Sequence, residues 1–467
     1  MPGERPNIVL FITEHWRGDC LGRLGHPAVE TPHIDGLSAK GALFKDAYTP
    51  CPSCIAARRS IMTGLSPDSH GMVGYQDGQP WRYEETLAGE LARAGYQTIN
   101  VGKTHFHPDR LHLGFEELII PADYDEWIEK ETGLVRGRFA HGVHGNSWMS
   151  RPNHLPEIQM EETWLTNEAM KRINKRDPER PFFICISYNG AHPPLCPPKD
   201  FFDMFLNKEI PDPVIGKWAE KIGEEAESPP DVNAWQAKLP PDIVRRTRVA
   251  YYAYLAYLDT QVGRFIEFLN RSGLRNTFYL LTADHGEMLG DHYLWRKTYA
   301  FDGSARIPFV AAPPPGWDTK NNREIDSLVG LEDVMPTLLD VAGVPIPEHV
   351  EGKSILPLLR GDDVEWRENY HHEHSPCYRN DNAYQCLTSR EWKYVWNPIN
   401  GDEQLFSRID DPYELNNLSE EPSCASELEH WRIEMAQKLK GRPENLSDGK
   451  KLVPGSVPVW RAPKAKK

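Results

Sequence analysis

The sequence predicts an α/β fold with a smaller C-terminal subdomain built from an antiparallel sheet and a helix, and three observations carry that reading. Four apolar runs of strand character each stop at a cluster of ionisable residues, as strands of an open α/β sheet do where they deliver side chains to a ligand. A long amphipathic stretch near residues 244–270 and a short helical one beginning near residue 53 lie between those runs. Beyond about residue 365 the pattern changes to short strands bounded by turn residues and one helix. The chain thus divides into a large domain over 1–365 and an α+β subdomain over 366–467.

The first strand, Asn7 to Thr13, runs into Glu14-His15. The segment CPSCIAARRSIMTG, residues 51–64, reads as a helix entered at Pro52-Ser53 and closed by Gly64. It places Cys54 and Arg58 one turn apart on one face, where a helix N-terminus attracts anions. Thr98 to Val101 passes through Gly102 into Lys103 and His105, and Phe182 to Ser187 leads to His192. Residues 208–243, rich in Pro, Glu and Lys, read as a surface excursion. A solvated insertion is the simple account of that stretch; a substrate rim or a homo-oligomer contact is the sharper one. Phe278 to Thr282 then runs into Asp284-His285-Gly286, with Lys297 following.

In the C-terminal part, 384–387, 392–396 and 404–406 read as strands and 425–441 as a helix. YHHEHS, 370–375, reads as a substrate-facing loop in which His372 and His374 flank Glu373, with a second metal site as the alternative.

The strand ends divide into two chemical jobs. Glu14, His15, Asp284 and His285 are donors suited to a divalent cation. Lys103, His105, His192 and Lys297 suit holding an anion and moving protons. Each cluster alone is explained as a capped strand with a solvated charge, but five together, counting Cys54, favour one shared site.

At these residues the chain resembles the type I sulfatases of the alkaline-phosphatase-like superfamily. Cys54, Ala56, Arg58 and Thr63-Gly64 resemble the family signature, with Ala56 where the usual Cys-x-Pro-x-Arg form has proline. NIVLFITEHWRGD, VGKTH, SYNGAHPP and LLTADHGEMLGDH with WRK resemble its other site segments, across roughly the first three quarters of the chain. The resemblance implies a large mixed sheet sandwiched by helices, and oxidation of Cys54 to formylglycine by a maturation enzyme. It further implies that Arg58 braces the formylglycine, that Lys103 and His105 bind the hydrated aldehyde and sulfate, and that His192 and Lys297 contact sulfate. The implied reaction is two-step hydrolysis of a small-molecule or carbohydrate sulfate ester, with His192 protonating the leaving alcohol and His105 assisting sulfate release. LFSRIDDPYELNNL resembles a structural element of the family's C-terminal subdomain.

The chain departs from the family where Glu14-His15 replaces an acidic pair or Asp-Gln, and His285 an asparagine. Calcium is expected on family grounds, while two imidazoles among four ligands point to manganese or zinc. The same residues also fit a phosphonate monoester or phosphodiester hydrolase of that superfamily. A catalytically dead binding scaffold, and a redox or zinc role for Cys51-x-x-Cys54, are the remaining readings.

Composition agrees with a folded enzyme. Hydrophobic residues at 39% and 14 Trp argue against disorder, and a formal net charge of −15 disfavours nucleic acid or an acidic membrane surface as partner. No segment reads as a membrane span. Eight cysteines spread over 467 residues do not make a disulfide framework, and MPGERPNIVLFIT leaves no room for a signal peptide, so a cytoplasmic location is expected.

Overall fold

Seven uncharged residues, Asn7–Thr13, form strand β1 at the middle of the main sheet, where neighbours on both sides and helices over the faces bury it almost completely. Burial on both faces is why the run is continuously apolar instead of alternating. The computed structural model describes residues 5–226, 230–380, 382–455 and 457–458. Residues 1–4 at the expected leaderless start, 227–229 of the expected excursion, and 459–467 of the expected subdomain lie outside them.

The other strands of the large domain are β2 (Ala42–Phe44), β3 (Ala47–Tyr48), β4 (Gln97–Gly102), β5 (Glu117–Ile119), β6 (Phe182–Ser187), β7 (Thr277–Ala283), β8 (Phe309–Ala312), β9 (Arg323–Ile325) and β10 (Val329–Gly330). Eight of these strands form one sheet in the order β5-β4-β6-β1-β7-β8-β2-β9, and β3 pairs with β10 separately. From β5 to β7 the strands are parallel, so their carboxyl ends share one edge; β8 runs against both β7 and β2 and makes the sheet mixed. In register, Leu10 of β1 lies between Cys185 of β6 and Leu280 of β7.

Helices flank this sheet in two groups. The 31-residue helix Pro241–Arg271 packs with Pro32–Ala39, Glu161–Asn174 and Lys199–Phe205, and its Phe265 meets Phe11 edge-on at 6.0 Å. The helices Cys54–Thr63, Leu87–Arg93 and Val334–Val341 form the second group.

The C-terminal sheet is a four-stranded antiparallel meander of β11 (Asn369–His374), β12 (Tyr384–Ser389), β13 (Trp392–Trp396) and β14 (Glu403–Ser407). The helix Ala425–Lys438 covers it through an apolar cluster of its own, with Tyr394, Trp396, Leu428, Trp431 and Met435.

Two expectations change here. Residues 370–375 are not a loop: 369–374 is β11, paired along its length with β12. The described part of 208–243 is also not simply solvated. Trp218 stacks on Phe301 at 4.6 Å and donates its indole N–H to the Glu414 carbonyl, and Trp235 lies parallel to Tyr378 at 5.7 Å. Partial burial of these indoles fastens a segment whose backbone is mostly irregular.

Candidate functional site

The parallel strand ends bring their ionisable residues together over the start of the helix Cys54–Thr63. All ten residues of that helix are buried, and Gly64 at φ 66° closes it with a left-handed cap. Gly102, ending β4, sits at φ 112°, and a Cβ there would come within 1.9 Å of the Ser187 carbonyl oxygen. That close approach seats Lys103 beside the end of β6, where its N–H donates to the same carbonyl. Arg58 links the elements: Nη1 donates to the Lys103 carbonyl and to the Ser187 hydroxyl, both at 2.8 Å. Its remaining nitrogens lie 3.5 Å from Glu14 and 3.4 Å from Asp284.

Cys54 is at the centre. Its sulfur is 3.2 Å from His285 Nε2 and 3.4 Å from Lys297 Nζ. Burial and Glu14 oppose ionisation of this thiol, but Lys297, Lys103 and His285 hold its pKa well below the ordinary cysteine value. The field that favours a thiolate there favours any anion in its place.

Glu14 and Asp284 are fully buried, and all four of their carboxylate oxygens lack a hydrogen-bond partner. Lys103 Nζ stands 2.7 Å from Glu14, out of line for a hydrogen bond. Burial opposes ionisation of Glu14, yet Lys103, His192 and Arg58 keep it well below the carboxylate range. Asp284 is pushed up to about 7 by burial, with Glu14 and Cys54 adding repulsion. Two buried acids that share Arg58 and have no hydrogen bond of their own are an arrangement a bound cation relieves. His285 supplies a third ligand atom: its Nδ1–H donates to the Gly286 carbonyl and its Nε2 points at Cys54 and Asp284, where a cation would take the place of the proton that these two groups favour. Ligand atoms of Cys54, Asp284 and His285 all lie within 4.8 Å of one another.

The structure turns His15 away from the ligand role expected of it. Nδ1 is 2.7 Å from Glu287, and Nε2 is 3.0 Å from Lys297 Nζ, so the free lone pair is committed to the lysine. The strand-end turn holds it at φ 52°, with its carbonyl accepting from the Tyr251 hydroxyl. His15 therefore aims Lys297 at Cys54.

His105, at φ 56°, is 3.1 Å from Asp77 through Nε2. Burial opposes its charged form, but hydrogen bonds with Asp77 and Cys54 raise its pKa. His192 donates Nδ1–H to the Pro193 carbonyl, and its Nε2 is 3.5 Å from Lys297. Burial, then Lys297, push it down to about 3.

His372, expected to face substrate, does not. It is buried in β11, with its nitrogens 3.3 Å from the Tyr384 hydroxyl and 3.2 Å from Thr388, and it stacks on Tyr48. His374 differs: Nδ1 bonds the Ser375 carbonyl, Nε2 is buried without a partner, and its field reaches His285 and Lys297. Glu373 between them pairs with Arg442 and Gln385, so its carboxylate oxygens are engaged within the fold.

Sequence reasoning missed Glu287, Ser187 and Asp77, which hold His15, Arg58 and His105. Glu287 lies within the quoted DHGE run, but its partner is 272 residues away, a pairing that no local pattern shows.

Comparison with known proteins identifies the family. The Sulfatase family model matches residues 6–344, and the model described as N-sulphoglucosamine sulphohydrolase, C-terminal, matches residues 290–441. An arylsulfatase of Clostridium perfringens is 37% identical over 97% of this chain and 98% of its own length. A choline-sulfatase of Rhizobium meliloti is 31% identical over 90% of this chain and 84% of its own. Among solved structures, the phosphonate monoester hydrolase of Agrobacterium radiobacter superposes with a TM-score of 0.81 at 23% identity, covering 97% of this chain and 100% of that one. The family model over residues 6–344 and the relative at 37% identity show that this chain belongs to the sulfatase family, and it is a sulfuric ester hydrolase.

Proposed function

We propose that the chain hydrolyses sulfate monoesters of small alcohols or sugars, using formylglycine made from Cys54 by a maturation enzyme and one divalent cation held by Glu14, Asp284 and His285. The observation that carries this reading is the set of four carboxylate oxygens buried without a hydrogen bond, offset only by the Lys103 and Arg58 charges, beside an anion-favouring Cys54. The sulfur of Cys54 stands where the hydrated aldehyde would place its nucleophilic oxygen. A cation at that point supplies charge that polarises a sulfate oxygen and favours ionisation of the attacking hydroxyl. With His15 drawn off by Lys297, the donor set is richer in oxygen than the sequence implied, which favours calcium or manganese over zinc.

The chain's own groups do the rest. Lys103 and Lys297 neutralise the sulfate charge that repels a nucleophile, and Arg58 fixes Glu14 and Asp284 around the helix start. His105, oriented by Asp77, is placed to take the proton when sulfate is expelled.

The test is one set of assays on protein co-produced with a formylglycine-generating enzyme. The peptide containing residue 54 should carry the aldehyde mass, Cys54→Ala should lose turnover with its fold intact, and chelation should inactivate reversibly. An active Cys54→Ala variant, or full activity in metal-free enzyme, overturns the reading. The imidazole of His285 among the donors favours, as a second reading, a phosphonate monoester or phosphodiester substrate. Parallel assays on aryl sulfate, aryl phosphodiester and phosphonate monoester separate the two.

A further inference from the structure

Beside Lys103 and His192 the structure opens a cavity of about 310 Å³, in the size range of small-molecule sites. Its wall includes Glu161 and Glu162, the first two residues of the helix Glu161–Asn174. Such a pair reads from sequence as solvated helix charge, yet the two residues are only 6% and 1% exposed. One oxygen of each is engaged: Glu161 Oε2 is 3.2 Å from Arg138, and Glu162 Oε1 accepts from the Tyr254 hydroxyl at 3.0 Å. The other two, Glu161 Oε1 and Glu162 Oε2, are buried with no hydrogen-bond partner.

The pair is also fixed relative to the reacting centre. Gly190, two residues before His192, lies so close to Tyr254 and Glu162 that a Cβ would fall 2.2 Å from the tyrosine ring and 3.0 Å from Glu162 Oε1. Burial pushes Glu162 up to about 7, with Glu161 adding repulsion, and raises Glu161 as well. Asn189, on the same loop, lines the cavity and hydrogen-bonds Glu161. Acceptors buried at a carboxylate's desolvation cost, with one oxygen of each residue left without a donor, match donors that arrive with a ligand.

Building on the sulfatase reading above, we propose that this cavity receives the alcohol part of the ester, and that Glu161 and Glu162 select alcohols bearing hydrogen-bond donors, hydroxyl or ammonium, on a frame of monosaccharide size. A ring without donors would fill the same space and leave both acceptors unpaired, the situation in which a polar site rejects an analogue most strongly. The acidic pair thus determines specificity, while Lys103, shared by both sites, ties it to the sulfate.

The experiment compares kcat/KM of the matured enzyme on glucose 6-sulfate and on the sulfate ester of cyclohexylmethanol, which has the same ring size and a primary alcohol but no donors. The sugar ester should be favoured about thirtyfold or more. Glu161→Gln and Glu162→Gln should each cut that preference about tenfold, chiefly through KM, and leave the cyclohexylmethyl ester within about threefold. Glucosamine 6-sulfate distinguishes the donors: a further tenfold gain assigns ammonium, and parity with glucose 6-sulfate assigns hydroxyl. Equal kcat/KM for the sugar and cyclohexylmethyl esters overturns the proposal even if neither variant folds. Equal losses on both esters in the variants overturn it too. Failure on these esters and on p-nitrophenyl sulfate alike would instead remove the sulfatase reading on which it rests.

Discussion

His192 enters the site without a proton on the nitrogen that faces Lys297. Its Nδ1–H is tied to the Pro193 carbonyl, and burial with Lys297 beside it keeps the ring neutral down to about pH 3. The general-acid role expected of it therefore requires the bound substrate to charge the ring: a sulfate anion beside His192 and Lys297 raises the imidazole pKa, so that His192 takes up a proton from water before the ester bond breaks while Lys297, 3.5 Å away, stays charged. We predict that His192→Ala slows sugar sulfates by about 10²-fold or more but activated aryl sulfates by less than tenfold, because only the poor leaving group needs the proton. Lys297→Ala should impair both, since it neutralises sulfate in either case. Equal losses on both substrates for His192→Ala, with chemistry rate-limiting, would leave it as a sulfate ligand alone.

At the scale of elements, the β4 terminus shows how little freedom the site allows. Gly102→Ala would put a methyl where the Ser187 carbonyl stands, at a φ that L-residues avoid. The expected result is a loss of about 3 kcal/mol or more in denaturant unfolding, with activity falling in any protein that still folds. A fully stable, active Ala variant would show that β4 and β6 can part without disturbing Lys103. The same elements explain what the sequence made legible. β1 and β6 have the expected bounds because burial on both faces writes an unbroken apolar run, and the Cys54 helix carries its own start and stop residues. β11 was hidden because its histidines are satisfied across the sheet: His371 by Gln385, His372 by Tyr384 and Thr388. Glu161 and Glu162 were hidden for the same reason, since a charge at a helix start is ordinarily solvated and only the distant Arg138, Tyr254 and Gly190 make it otherwise.

Across the whole molecule, the C-terminal sheet is stitched to the large domain by a buried cation. Lys393 of β13 is held by Asp302 and Glu414, the Tyr48 hydroxyl donates to Asp302, and Arg408 bonds Asp46. β11 reaches further: the Glu373 N–H donates to the Pro50 carbonyl and the Ser375 N–H to that of Val73, which pins the chain on both sides of the Cys54 helix. Cys54 is thus roofed by segments drawn from residue 103 to residue 375, and it is only 2% exposed. This sets an order of events. An enzyme that oxidises Cys54 must hold the surrounding chain in its own cleft, and no such grip exists once the roof has closed. On the proposed formylglycine reading, the modification would belong to the interval of synthesis, when the early part of the polypeptide has emerged and the later part has not. The expected outcome is that a folded Cys54 chain presented to the maturation enzyme stays a thiol, while the unfolded chain is converted, as read by the mass of the peptide; conversion of both at equal rate would mean that the native protein opens over Cys54. If Cys54 is matured as proposed, the enzyme's competence would be decided once, before its fold is complete, and a molecule that folds with the thiol intact would have missed its only opportunity.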